Sequence, residues 1–89
     1  EVDPVAHRVW RAGRELILTN KEYALLELLL RQRGKLFTRA AIFDRLYDSA
    51  SEASDKVVEV IISTLRGKLH KAGAPDPIAT RRGFGYVIE

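Results

Sequence analysis

Hydrophobic positions change their period along this 89-residue chain. Near the N-terminus, Val5-Ala6-His7-Arg8-Val9-Trp10 alternates loosely, Ala12-Gly13 supplies a turn, and Glu15-Leu16-Ile17-Leu18 resumes an extended apolar run. Short strands are expected there. The period then lengthens. Thr19 can cap a helix, and Glu22 can reach back to the Thr19 amide as a capping box. Tyr23, Leu25, Leu26, Leu28, Leu29 and Leu30 make this first helix apolar around most of its girth, as a central core helix would be, and Gly34 ends it. Thr38 can cap a shorter helix with Ile42, Phe43 and Leu46 as its buried stripe. From Tyr47 to Ser54 the periodicity stops in a polar, acidic loop, at whose end Ser54 or Asp55 can cap a third helix. Gly73 and Pro75 stop that helix near Lys71. The closing segment alternates Ile78 and Thr80 on one side with Tyr86 and Ile88 on the other, around Arg82-Gly83-Phe84-Gly85, which predicts a hairpin.

The third helix carries more apolar surface than one core needs. At about 100° per residue, Val58, Ile62, Leu65 and Leu69 fall in one sector and form a core stripe. Val57, Val60, Thr64 and Lys68 cluster more than about 90° away, with Ile61 on the border. An outward face of valines and an isoleucine is unfavourable unless a partner covers it. The alternative is that this face packs on the hairpin or the N-terminal strands. Arg66 lies near Glu59 on the wheel, away from the outward face, and reads equally as the partner of Glu59 or as a phosphate contact.

Strands, three helices and a terminal ribbon make an α+β domain, the winged variant of the helix-turn-helix with an N-terminal antiparallel sheet and a C-terminal β-hairpin wing. The connection between the second and third helices is too long for the plain form. No repeat, low-complexity segment or interdomain linker divides the chain, so residues 1–89 read as one domain.

Charge turns this architecture toward a partner. The net charge of +3 and pI near 9.5 are only mildly basic, but six basic residues face two acidic ones between Lys56 and Tyr86, and the rest of the chain is slightly acidic. Positive charge gathers where the unusual helix and hairpin lie, as a polyanion-binding face requires. In a major groove the outward valines can pack on thymine methyls and Thr64 can bond a base edge. Lys56, Lys68 and Lys71 flank that face at positions suited to phosphates. Gly83 and Gly85 permit the positive φ of a tight tip. An arginine there, on a thin ribbon, can enter a minor groove that excludes a helix. Thr80 and Tyr86 offer hydroxyls to phosphates, while Phe84 reads as a core plug for the hairpin. The implied partner is double-stranded DNA.

Four segments resemble the OmpR/PhoB-type effector domain of bacterial two-component response regulators, over essentially the whole chain. They are Leu18-Thr19-x-x-Glu22-Tyr23-x-Leu25-Leu26, Gly34-Lys35-Leu36-Phe37-Thr38-Arg39, Val58-Glu59-Val60-x-Ile62-Ser63-x-Leu65-Arg66-x-Lys68-Leu69 and Thr80-Arg81-Arg82-Gly83-x-Gly85-Tyr86. The resemblance implies a four-stranded N-terminal sheet, three helices and a wing, with the third helix in the major groove and Arg82 in the minor groove. By position it assigns base reading to Lys56, Val57, Val60, Ile61, Thr64 and Arg82. Phosphate contacts fall to Arg39, Tyr47, Thr80 and Tyr86, beside Lys68, Lys71 and Arg81 from the charge pattern. It further implies contact with RNA polymerase through loop 47–54 and two protomers on direct-repeat promoter sites. Dimerisation would run mainly through a phosphorylated receiver domain that this chain lacks. Three departures stand out: Ile61 where histidine is frequent, Thr64 where arginine or asparagine is frequent, and Gly67 where a charged residue is common.

Other classes fit less well. No apolar run approaches the ~20 residues of a membrane span, and a cytoplasmic location at the nucleoid is expected. With no cysteine, and with His7 and His70 on different elements, no metal-ligand spacing or catalytic constellation appears, so neither an enzyme nor a cofactor is expected. Gly83-Phe84-Gly85 lacks the strand-then-helix setting of a dinucleotide loop. A winged module that binds protein is the competing reading, and the basic tip at Arg81-Arg82 speaks against it.

Overall fold

The computed structural model describes residues 2–3, 8–11, 14–48 and 54–89. Three short strands, β1 (Val2–Asp3), β2 (Arg8–Arg11) and β3 (Arg14–Ile17), form an antiparallel sheet in the order β1-β2-β3. Three helices follow: α1 (Asn20–Arg31), α2 (Arg39–Leu46) and α3 (Val57–Lys71). The chain closes with the hairpin β4 (Ile78–Arg81) and β5 (Gly85–Ile88). Among the described residues the N-terminal sheet has three strands, against the four that the resemblance implies. The turn expected at Ala12-Gly13, the start of the first predicted strand at Val5–His7 and the loop at 49–53 lie outside the described residues.

Local chemistry sets the helix ends. The Thr19 hydroxyl accepts from the Glu22 amide at 3.2 Å and Glu22 Oε1 accepts from the Thr19 amide at 2.8 Å, so the capping box is complete. Thr38 caps α2 by accepting from the Ala41 amide at 3.0 Å. Ser54 accepts from the Lys56 amide at 3.3 Å. Lys56 already has helical angles (φ −60°, ψ −22°), so Ser54 caps a lead-in turn just ahead of α3. At the other end, Ala74 donates to the Leu69 carbonyl and Gly73 (φ 71°) to the His70 carbonyl. These two bonds are the 6→1 and 5→2 pair of a Schellman ending.

The core sits where the three helices meet. Leu25, Leu29, Ile42, Val58 and Leu65 are fully buried, with Leu16 and Leu18 from the sheet side and Ile78 and Ile88 from the wing closing it. Truncating any of the central leucines to alanine would remove about 2–5 kcal/mol. Alternation at the end of β3 leaves Ile17 outside between buried Leu16 and Leu18.

The wing is tied to the body by a feature absent from the sequence reading. Phe37, between α1 and α2, exchanges both backbone hydrogen bonds with Tyr86, at 2.9 and 2.8 Å. β5 thus runs between β4 and Phe37. Gly85, at φ 145°, lies so close to this bridge that an added Cβ would stand 2.0 Å from the Phe37 carbonyl oxygen. Only glycine fits there.

Candidate nucleic-acid interface

Burial fixes which way α3 faces. Val58, Ile61, Ile62, Leu65 and Leu69 turn inward. Ile61, expected to read bases, is only 7% exposed: on the border of the core stripe, it is drawn into the core cluster. Opposite this stripe lie Val60, Ser63 and Gly67, all exposed. Val60 is 60% exposed. Val57 is half-buried against the core, so the outward apolar surface is narrower than expected. The sequence reading assigns neither Ser63 nor Gly67 to DNA contact, although the point of the wheel opposite the core stripe marks both.

Thr64 is exposed, and its hydroxyl donates to the Ile61 carbonyl at 3.0 Å. Lys68, expected to meet phosphates, is engaged within the chain. Its ammonium donates to Glu22 Oε1 at 2.5 Å and to the Ile17 carbonyl at 3.1 Å. Glu22 is 2% exposed, and a buried carboxylate needs a countercharge. Burial pushes its pKa up, but the Lys68 hydrogen bond and charge, the nearby Thr64 hydroxyl and the Thr19 amide outweigh that and hold it below the usual value. The N-terminus of α1 and the end of β3 therefore occupy this side of α3. The alternative packing on the N-terminal strands holds for this part of the helix.

Arg66 pairs within the chain, but with Asp76 rather than Glu59. Its Nε lies 2.6 Å from Asp76 Oδ2, off the line of the N–H bond, so the contact is an ion pair more than an aligned hydrogen bond. Glu59 instead accepts from Arg39 at 2.6 Å, with Asp55 3.4 Å from the same guanidinium. The Glu59 hydrogen bond and the Asp55 charge pull the Arg39 pKa above its usual value. Arg39 thus keeps its charge but meets any phosphate already flanked by two carboxylates.

The tip of the wing is Arg82-Gly83-Phe84, closed by the Phe84 amide on the Arg81 carbonyl at 2.9 Å with Gly83 at φ 79°. Phe84 is 69% exposed, correcting its reading as a core plug: the three-residue tip carries it beyond the sheet. Arg81 pairs with the Glu89 carboxylate. The Thr80 hydroxyl accepts from Arg66 at 2.9 Å. Tyr86 is half-buried and lines an open cleft of about 460 Å³ with Thr38, Arg39, Asp55, Glu59, Thr80 and Arg82. Tyr47 stacks on Phe43 with centroids 4.8 Å apart, and the Lys21 ammonium sits 4.2 Å from its ring centre. Lys56, Lys71 and Arg82 are exposed and make no ion pair with described residues.

Of the sequence-assigned residues, α3 and the wing bring Lys56, Val60, Thr64 and Arg82 to the surface. Arg39, Thr80, Arg81 and Tyr86 line the cleft between them, and Ile61 and Lys68 turn into the body of the domain. An outward helix face and a basic ribbon, separated by a cleft, define a winged helix-turn-helix domain. Residues 13–88 match the family described as transcriptional regulatory protein, C terminal, and the chain belongs to it.

Transcriptional regulatory protein TcrA of Mycobacterium tuberculosis (strain ATCC 25618 / H37Rv) is 44% identical over 87 residues, covering 98% of this chain and 34% of TcrA. The chain thus spans about a third of the length of that relative. The DNA-binding domain of response regulator AdeR, solved in complex with an intercistronic region, superposes with a TM-score of 0.85 at 30% identity, covering 100% of this chain and 92% of that one. The Klebsiella pneumoniae RstA DNA-binding domain, solved in complex with the RstA box, gives a TM-score of 0.79 at 32% identity, over 98% of this chain and 87% of that one.

Proposed function

We propose that residues 1–89 form the DNA-binding domain of a two-component transcriptional regulator, with α3 in the major groove and Arg82 in the minor groove. The observation that carries this reading is the pairing of one outward α3 face with an exposed arginine, without an ion-pair partner among the described residues, at the tip of a thin ribbon. The likeness to the AdeR and RstA domains, both solved with DNA, supports it.

Lys56, Val60 and Thr64 are the base-reading candidates of α3, with half-buried Val57 at its first turn and Ser63 now added. Lys71, Arg39, Thr80, Arg81, Tyr86 and Tyr47 remain candidates for phosphates. Lys68 and Ile61 drop out. Two protomers would bind direct-repeat half-sites, joined through a receiver domain beyond this chain. Loop 47–54 would meet RNA polymerase, although its residues 49–53 lie outside the described residues. A cytoplasmic setting follows from a chromosomal partner, and no described helix is long and apolar enough to cross a membrane.

Selection of bound sequences from a random duplex pool tests the reading and reveals half-site spacing. One preferred sequence is expected, with affinity falling as salt rises by a slope of about 0.9 per phosphate contacted. Salt-insensitive affinity with no enriched sequence would overturn it.

A further inference from the structure

The contacts of Arg66 exceed what an ion pair needs. From the third turn of α3, the two hydrogens of its Nη2 reach the Ile78 carbonyl at 2.8 Å and the Thr80 hydroxyl at 2.9 Å. Its Nε faces Asp76 at 2.6 Å. Asp76 in turn accepts from the Ile78 amide at 2.9 Å through its other oxygen. Both partners therefore grip the start of β4.

β5 is held to the body by Phe37 and by the Gly34 amide on the Ile88 carbonyl. β4 is the outer strand, beyond β5. Arg66 crosses from the reading helix to that strand with a planar, multiply bonded group. Such a fork holds distance and angle better than a flexible ammonium does. Its bond to Thr80 also uses an oxygen lone pair, leaving the hydroxyl proton free to donate to a phosphate.

We infer that Arg66, braced by Asp76, is a positioning residue that sets the spacing between α3 and the wing, and so lets Arg82 enter the minor groove while α3 occupies the major groove. Arg66 itself contacts no base in this account. The inference rests on the DNA-binding reading above.

The test uses the 89-residue domain and two duplexes that share the selected core site but carry A·T or G·C pairs beneath the wing. The wild type should prefer the A·T flank by on the order of tenfold. Arg66→Ala should abolish that preference while keeping the core-site preference set by α3. Adding Arg82→Ala to Arg66→Ala should then cost no further flank preference, because both act through one contact. Asp76→Asn keeps the acceptor for the Ile78 amide and removes the charge. It should weaken flank preference in the same direction, and it serves as the test if Arg66→Ala does not fold.

A folded Arg66→Ala or Asp76→Asn variant with full flank preference would overturn the inference. So would additive losses in the double variant. A wild type that binds neither duplex would instead overturn the DNA-binding reading.

Discussion

Replacing Lys68 with methionine separates two roles that a sequence would merge. Methionine keeps much of the side-chain volume and removes the charge. If Lys68 is the internal partner of Glu22, the change strands a carboxylate of 2% exposure that keeps its Thr19 amide bond but loses its countercharge. Breaking a fully buried pair costs about 3–5 kcal/mol. The Lys68 side chain is 35% exposed, so water can reach the vacated position and screening lowers the cost. A loss of about 1–3 kcal/mol at pH 7 is expected. For a domain of this size that lowers the melting temperature by about 5–20 °C.

The loss also has a pH signature. The folded-state pKa of Glu22 lies below its usual 4.5. Its stabilising contribution is therefore complete above the unfolded pKa and disappears as pH falls through the folded one. Lys68→Met removes the Lys68 hydrogen bond and charge that help hold this value down, so the gap between variant and wild type should narrow as pH falls through the usual carboxylate range and on through the lowered folded-state value of the wild type. Urea denaturation at several pH values, with duplex affinity measured against salt, checks both points. A stability change under about 0.5 kcal/mol, together with a salt slope lower by about 0.9, would refute the reasoning and return Lys68 to the phosphates.

Gly85→Ala should cost several kcal/mol or prevent folding, because its Cβ would overlap the Phe37 carbonyl; thermal melting detects this. Gly67→Ala should go the other way. Nothing lies within 4 Å of an added Cβ and the position is helical, so alanine should stabilise the fold by about 1 kcal/mol in the same assay. Val60→Ala, at a side chain 60% exposed, should leave melting nearly unchanged. It should weaken preference at one thymine position of the selected site by about 1 kcal/mol, read by competition between duplexes.

What was legible in the chain is mostly local. Thr19 with Glu22, and Thr38 with the Ala41 amide, are bonds over three residues, and spacing alone encodes them. The Gly73 stop and the Gly83 tip follow from residues that tolerate positive φ. The orientation of α3 was legible only to within a sector. Periodicity located Val58, Ile62, Leu65 and Leu69, but the side on which Ile61 falls depends on which neighbours flank the helix.

The long-range pairs left no trace in spacing. Lys68–Glu22, Arg39–Glu59, Arg66–Asp76 and the Phe37–Tyr86 bridge join different elements. A charge pattern along one helix offers only partners on that helix: it set Glu59 beside Arg66 as one of two options and could not show Asp76. Phe84 shows a further limit: hydrophobicity says a side chain favours burial, but a three-residue tip holds it outside. The wing itself was recognised through Thr80-to-Tyr86, where glycines and arginines have few other uses in that order.

The central claim, one helix in the major groove and one arginine in the minor groove, can be tested by exchanging base pairs that alter one groove at a time. Inosine·cytosine presents the major-groove pattern of G·C and, lacking the guanine amino group, the minor-groove pattern of A·T. Once the selected site is known, each A·T pair is replaced in turn by inosine·cytosine or by G·C, and affinity is measured for wild type and Arg82→Ala. Under the wing, inosine·cytosine should bind like A·T while G·C weakens binding, and Arg82→Ala should erase the difference. Beneath α3, inosine·cytosine should weaken binding as G·C does. If inosine·cytosine and G·C are equally harmful under the wing, or if Arg82→Ala leaves the pattern intact, the two-groove account is wrong.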